Sequence, residues 1–224
     1  MTVRHEVSDE LLASYAAGTL AEGWRLAVAT HLALAPHARR RLALFEKTAG
    51  QMLEDIQPEA PAGDVWVKIR AKIDNQQPSP VSTMPRAAPE KPSLAPAPVL
   101  PEPLRSYLGG DVMDLKWRTL GRGAYHIPIR TEDGETNVRL LRIPAGKPVP
   151  EHSHGGRELT LVLSGSFQDS GELFARGDIE EADATLTHQP IATPGEDCIC
   201  LAVTDAPLRF KSMLLRLVQP LLGI

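Results

Sequence analysis

Between Asn75 and Pro103 the chain reads NQQPSPVSTMPRAAPEKPSLAPAPVLPEP. Prolines recur every few residues, aromatic side chains are absent, and Ser, Ala, Gln and Glu fill most of the gaps. Each proline fixes φ and removes a backbone donor, so neither a helix nor a sheet ladder can propagate through the tract. The composition predicts an extended, partly polyproline-like tether. It splits the 224 residues into an expected domain at 1–74, a linker at 75–103 and a second domain at 104–224.

The two flanks differ in hydrophobic period. Ser8-Asp9-Glu10 ahead of LLASYAAGTL is an N-cap with acidic first-turn residues, and Gly18 is a stop. A second helix is expected over about Leu20–Leu34, with Trp24, Ala27, Val28 and His31 at three- and four-residue spacing. A third follows Pro36, with Leu42, Leu44, Phe45, Met52 and Leu53 as its apolar positions. DVWVKIRAKI fits both periods; helix is preferred because Asp64 can cap it and no strand is at hand to pair with. Beyond the tract, TNVRLLRIPAG, ELTLVLSGSF, DCICLAVT and PLRFKSMLL are short apolar or alternating runs. Turn pairs separate them at 133–134, 155–156 and 177–178. That pattern predicts an all-β sandwich or small barrel. The fold class is therefore α+β in two parts, a small helical bundle and then a β domain.

A net charge of −4 and a pI near 6.0 give no electrostatic reason to expect nucleic acid as a direct partner. No apolar run approaches the roughly 20 residues of a membrane span, and MTVRHEVSDE lacks a charged-then-apolar leader. The expected location is the cytoplasm. Cys198 and Cys200 are the two cysteines. On a strand their Cα atoms would stand about 6.5–7 Å apart, at or beyond the disulfide range. They read as buried thiols acting as small hydrophobes or, in a sharper reading, as an oxidisable pair.

PEHSHGGRELTLVLSG places two of the seven histidines one residue apart, and a strand would point both imidazoles to one face. Glu158 follows, and His188 comes about thirty residues later. Three imidazoles and a carboxylate suit a divalent transition metal rather than Ca or Mg. Zinc is the first expectation, with Mn, Fe or Ni as alternatives.

Gly146, His152, His154, Glu158 and Gly165 stand at every defined place of the motif G-x5-H-x-H-x3-E-x6-G. On this run the second domain resembles the cupin superfamily, a jelly-roll barrel with an internal metal site. The second cupin motif is matched in part. Gly177 and His188 are in place, but Asp183, Thr185 and Ala192 replace its proline, second glycine and asparagine.

VSDELLASYAAGTL, VATHLAL, WRTLGRG, ELTLVLSGSF with its following GDIE, and DCICLAVTDAPLRF extend the likeness over nearly the whole chain. These stretches resemble the ChrR family of cytoplasmic anti-sigma factors. The resemblance implies a helical domain that grips and silences an ECF-type sigma factor. It also implies a cupin domain that answers reactive oxygen species such as singlet oxygen or peroxides. The family's N-terminal zinc site uses a histidine before Val-Ser-Asp and then H-x3-C-x2-C; Glu6, His31, Ala35 and Ala38 occupy those places here. One strong ligand does not close a structural zinc site, which normally has four, even with His5 and His37 nearby. The N-terminal part is therefore expected to be free of zinc, with His31 a packing residue. The rival reading is a metal-dependent cupin enzyme, a dioxygenase or isomerase, with an appended helical domain. A third is a metal sensor without oxidant chemistry. A homodimer through the cupin domain is a further expectation from the superfamily.

Overall fold

The computed structural model describes residues 3–75, 97–121 and 123–211. Most of the proline tract and the end of PLRFKSMLL thus lie outside the described residues. The chain forms two compact units. One draws on Met1–Ala49 and on the chain from Pro98 onward, the other on Gly50–Ala97.

Four of the helices follow the expected order: α1 (Asp9–Ala16), α2 (Glu22–Leu34), α3 (Pro36–Glu54) and α4 (Val65–Asn75). Ser8 caps α1 through its hydroxyl, which accepts from the Leu11 N–H at 3.4 Å. Ala35, in extended backbone, ends α2, and Pro36 opens α3 at the position where a missing N–H costs nothing. A short helix, α5 (Leu104–Leu108), was not expected. Its five residues are too few for a periodic signal. Just before it Leu100 is fully buried, and the Val99 and Leu100 amides donate to Asp111 at 2.9 and 2.8 Å.

Among the described residues the other regular elements are β-strands. These are β1 (Arg118–Gly121), β2 (Ala124–Ile129), β3 (Asn137–Ile143), β4 (His152–His154), β5 (Glu158–Ser164) and β6 (Ser166–Asp169). They continue with β7 (Glu172–Ala175), β8 (Ile179–Ala182), β9 (Thr187–His188), β10 (Ile191–Ala192), β11 (Cys198–Thr204) and β12 (Leu208–Phe210). All pairings are antiparallel, in sheets ordered β1-β2-β3-β11-β5-β8, β10-β6-β7 and β12-β4-β9.

Strand alternation gives the six-stranded sheet two different faces. Val138, Leu140, Leu159, Leu161, Leu163, Ile199, Leu201 and Val203 point outward. They share one core with Leu11, Leu12, Trp24, Ala27 and Val28 of α1 and α2. Each fully buried Leu or Val there is worth about 1.5–3 kcal/mol. The sheet thus supplies much of the cover for the helices' apolar stripe. Gly23 permits this docking, because a Cβ there would fall 2.2 Å from Thr136 Oγ1 and 2.5 Å from Val138 Cγ2. The segment before α1 lies along β8. The Ile179 N–H donates to His5 O at 2.9 Å, and the Arg4 and His5 amides donate to Asp178 Oδ1 at 2.6 and 3.0 Å.

The other face looks into the barrel. Cys198, Cys200, Ala202 and Thr204 from β11 line a cavity of about 640 Å3 together with Glu158 and Thr160 from β5. In contrast to the expected apolar positions of α3, Leu44, Met52 and Leu53 are each about two-thirds exposed. That helix has more apolar surface than its neighbours cover.

Candidate metal centre

The site is built on β4, whose neighbours are β9 and β12. The pairing sets His152 opposite both His188 and Phe210, and His154 opposite Leu208. His152 and His154 alternate to one face and are both buried, as is His188. His154 Nε2 lies 3.0 Å from His188 Nε2, and His188 Nε2 lies 3.2 Å from His152 Nε2. A tetrahedral ion with bonds near 2.05 Å would hold its ligand atoms about 3.3 Å apart.

The remaining ring nitrogens decide where the protons sit. His152 Nδ1 is 2.8 Å from the Pro150 carbonyl oxygen, so it carries a proton and donates it. His188 Nδ1 is 2.9 Å from Asp169 Oδ2 and does the same. With both rings neutral, as metal ligation requires, their Nε2 atoms would present lone pairs to each other at 3.2 Å. A shared cation would make that arrangement attractive. The donor set fits a transition metal, and the outward hydrogen bonds fix the ligand tautomers.

Glu158 is placed differently. Its Oε2 is 3.3 Å from His154 Nδ1, on the side of the ring away from the converging Nε2 atoms, and off the hydrogen-bonding direction. The Thr160 hydroxyl donates to its Oε1 at 2.9 Å. Burial would raise its pKa, but His154, His152 and Thr160 together hold it below the ordinary carboxylate value. Burial likewise pushes His152 below the usual imidazole value. The structure thus brings His152, His154 and His188 together and sets Glu158 against His154 from behind.

Two acidic residues here were missed in the sequence. Asp169 and Glu180 are buried beside His188, and the Glu180 carboxyl is pushed up to about 8 by burial and by the neighbouring Asp169. The alternation Phe167-in, Gln168-out, Asp169-in along β6 could have exposed the first. Glu180 sits in an unbroken Ile-Glu-Glu run that gave no such signal.

Cys198 and Cys200 lie on the same cavity wall, both buried, with Sγ atoms 3.4 Å apart. The Cys198 contact, together with burial, pushes the Cys200 thiol well up, which favours the protonated form.

The degenerate N-terminal positions form no comparable set. His31 Nδ1 donates to Gly177 O at 2.9 Å, and its Nε2 accepts from the Val7 amide at 3.4 Å. Both ring nitrogens are thereby committed to backbone. Ala35 and Ala38 are fully buried. Glu6 accepts from His37 Nδ1 at 2.7 Å and from Arg41 Nη1 at 3.1 Å.

Residues 107–207 match the family profile described as the ChrR Cupin-like domain. Over all 224 residues the chain is 46% identical to the anti-sigma-E factor ChrR of Cereibacter sphaeroides, covering 100% of both chains. The fold is similar to the crystal structure of Rhodobacter sphaeroides SigE in complex with the anti-sigma ChrR. There the TM-score is 0.74 and the identity 43%, over 91% of this chain and 99% of that one.

Proposed function

The chain belongs to the ChrR family of anti-sigma factors, and on that premise we propose that it binds and silences an ECF-type sigma factor through its N-terminal helices. The barrel then acts as a metal-dependent sensor of reactive oxygen species that triggers release. The observation that carries the binding half is the uncovered apolar surface of α3 and α4. Leu44, Met52 and Leu53 on α3 are exposed, as are Trp66, Ile69 and Ile73 at helical spacing on α4. Apolar helix faces of this kind suit a partner that supplies the missing cover, and the ChrR relative is seen with SigE. The relative's role as a regulator also sets the enzyme reading aside.

For sensing, the supporting feature is the imidazole triad with two thiols on the wall of the same barrel. His152, His154 and His188 would hold the ion, zinc first and Mn, Fe or Ni otherwise, with Glu158, the fourth residue of the expected set, standing behind His154. When bound, it would supply a fixed positive charge tying β4 to β9. We also propose that labour divides at the proline tract, with binding in 1–74, a linker at 75–103 and sensing in 104–224. The N-terminal part needs no zinc in this account.

Two measurements test the reading. The Trp66→Glu/Ile73→Glu variant of the full chain should lose at least about tenfold in affinity for the sigma factor; unchanged capture would refute the proposed face. In a reporter driven by that sigma factor, wild type should release it under singlet oxygen or peroxide while His152→Ala/His154→Ala stays silent. An equal response from both would remove the metal site from sensing.

A further inference from the structure

Cys198 and Cys200 take no part in the imidazole triad or in the core shared with the helices. Both line the cavity of about 640 Å3, a size within the range of small-molecule sites, with their Sγ atoms 3.4 Å apart. Gly121, Lys147, Pro148 and Pro207 on the same wall are exposed, so the cavity opens to solvent. Strand pairing sets Leu141 opposite Cys200 and Ile143 opposite Cys198, and both residues line the cavity as well. Phe167 and Ala192 pack with the thiols. The two sulfurs thus form a pair in hydrocarbon surroundings, with open space in front of them.

The spacing selects what such a pair can hold. For bonds to sulfur of about 2.3 Å, an in-line S–M–S unit separates the sulfurs by about 4.6 Å and a tetrahedral one by about 3.8 Å. A pyramidal centre bonding at about 95° needs about 3.4 Å at the same bond length, and that is the separation seen here. Trivalent arsenic is such a centre, because its lone pair holds three bonds close to right angles. The chain has no third cysteine. Inorganic arsenite on this pair would therefore keep one hydroxyl facing hydrocarbon, which is costly. An organic arsenical carries carbon in that third position.

We propose that Cys198 and Cys200 form a binding site for a trivalent arsenical with one apolar organic group, R–As(OH)2. Each thiol displaces one hydroxide: an As–S bond forms, an As–O bond breaks, and the thiol proton leaves with the oxygen as water. Two waters are released and the arsenic stays trivalent, so neither oxidant nor reductant enters. The exchange starts from neutral thiols, the form in which the Cys198 contact and burial hold Cys200. The organic group then lies against Leu141, Ile143 and Phe167 on the cavity wall. The site needs neither the ion nor the sigma factor of the function proposed above.

Phenylarsine oxide, which hydrates to the R–As(OH)2 form, tests this on the full-length protein with dithiothreitol as competitor. The synthetic peptide DCICLAV serves as the control that carries the same thiols without a cavity. The protein should retain one phenylarsine per chain at least about tenfold more tightly than the peptide, because the sheet holds both sulfurs in place. Replacing phenyl by methyl should weaken retention at least about tenfold more in the protein than in the peptide, which has no wall to bury the ring. Cys198→Ala and Cys200→Ala should each abolish retention, since one sulfur leaves a hydroxide on the arsenic. Equal retention by protein and peptide, no extra preference for phenyl, or full retention in a folded single variant would overturn the site. The wild-type comparison decides even if the variants do not fold. No readout involves the sigma factor or the metal, so failure here is distinct from failure of the proposed function.

Discussion

His154 and His31 are both fully buried histidines on regular elements, yet they stand in opposite situations. Around His154, the partner rings His152 and His188 give their Nδ1 protons to Pro150 O and Asp169, which leaves lone pairs converging inside the barrel. Around His31, Gly177 O takes one nitrogen and the Val7 amide the other, and nothing is left to offer an ion. Burial and residue type are the same; the use of the second nitrogen separates a candidate ligand from a fastener. His31 thus ties α2 to the turn before β8.

The sharpest way to break this contrast is to delete ligands on each side. His152→Ala/His154→Ala should abolish metal binding in elemental analysis of the full chain, whereas His31→Ala should leave the metal content as it was. Loss of metal from His31→Ala would mean that the helices do contribute a site. A smaller effect is expected at Asp169, which orients His188. Asp169→Ala should weaken metal binding by about 10–100-fold, measured by competition with a chelator, and Asp169→Asn should recover little because an amide can present its NH2 to the ring. Wild-type affinity in both would show that the tautomer is set elsewhere.

Stability measures the other side of the contrast. His31→Ala leaves the Val7 amide and the Gly177 carbonyl unpartnered, so it should cost about 2–4 kcal/mol in denaturant melts. Burial also holds the His31 pKa below its ordinary value. The unfolded chain therefore takes up a proton first, and His31 should make stability fall as pH drops below about 6.5. A His31→Ala profile as steep as that of wild type would remove His31 as the cause. The last effect belongs to Glu180. Its folded pKa of about 8 lies above the unfolded value of 4.5, so the metal-free protein should lose stability progressively as pH rises between those two values and level off above about 8. Glu180→Gln should flatten that loss. A slope that persists would place the titration on another group.

Much of this architecture was legible before any coordinates. Helical period up to Ile73, alternation from Asn137 onward and the proline tract between them give the α-then-β order, and the alternation of DCICLAV correctly separates the thiol face from the aliphatic face. The H-x-H spacing was readable because a strand forces both rings to one side. What escaped were features without local signal. Strands β9 and β10, two residues each, exist through pairing rather than propensity. Asp169 reaches His188 only because separate strands meet inside the barrel. The exposure of Leu44 and Met52 was also hidden, since an amphipathic stripe looks the same whether it faces a core or an absent partner.

Three imidazoles, not the neighbouring thiols, are proposed to hold the metal. X-ray absorption spectroscopy on the metal-loaded full-length protein tests this assignment most directly. The expected spectrum shows nitrogen and oxygen neighbours only, with the outer scattering of about three imidazoles. A sulfur shell near 2.3 Å would place the ion on Cys198 and Cys200 and contradict it.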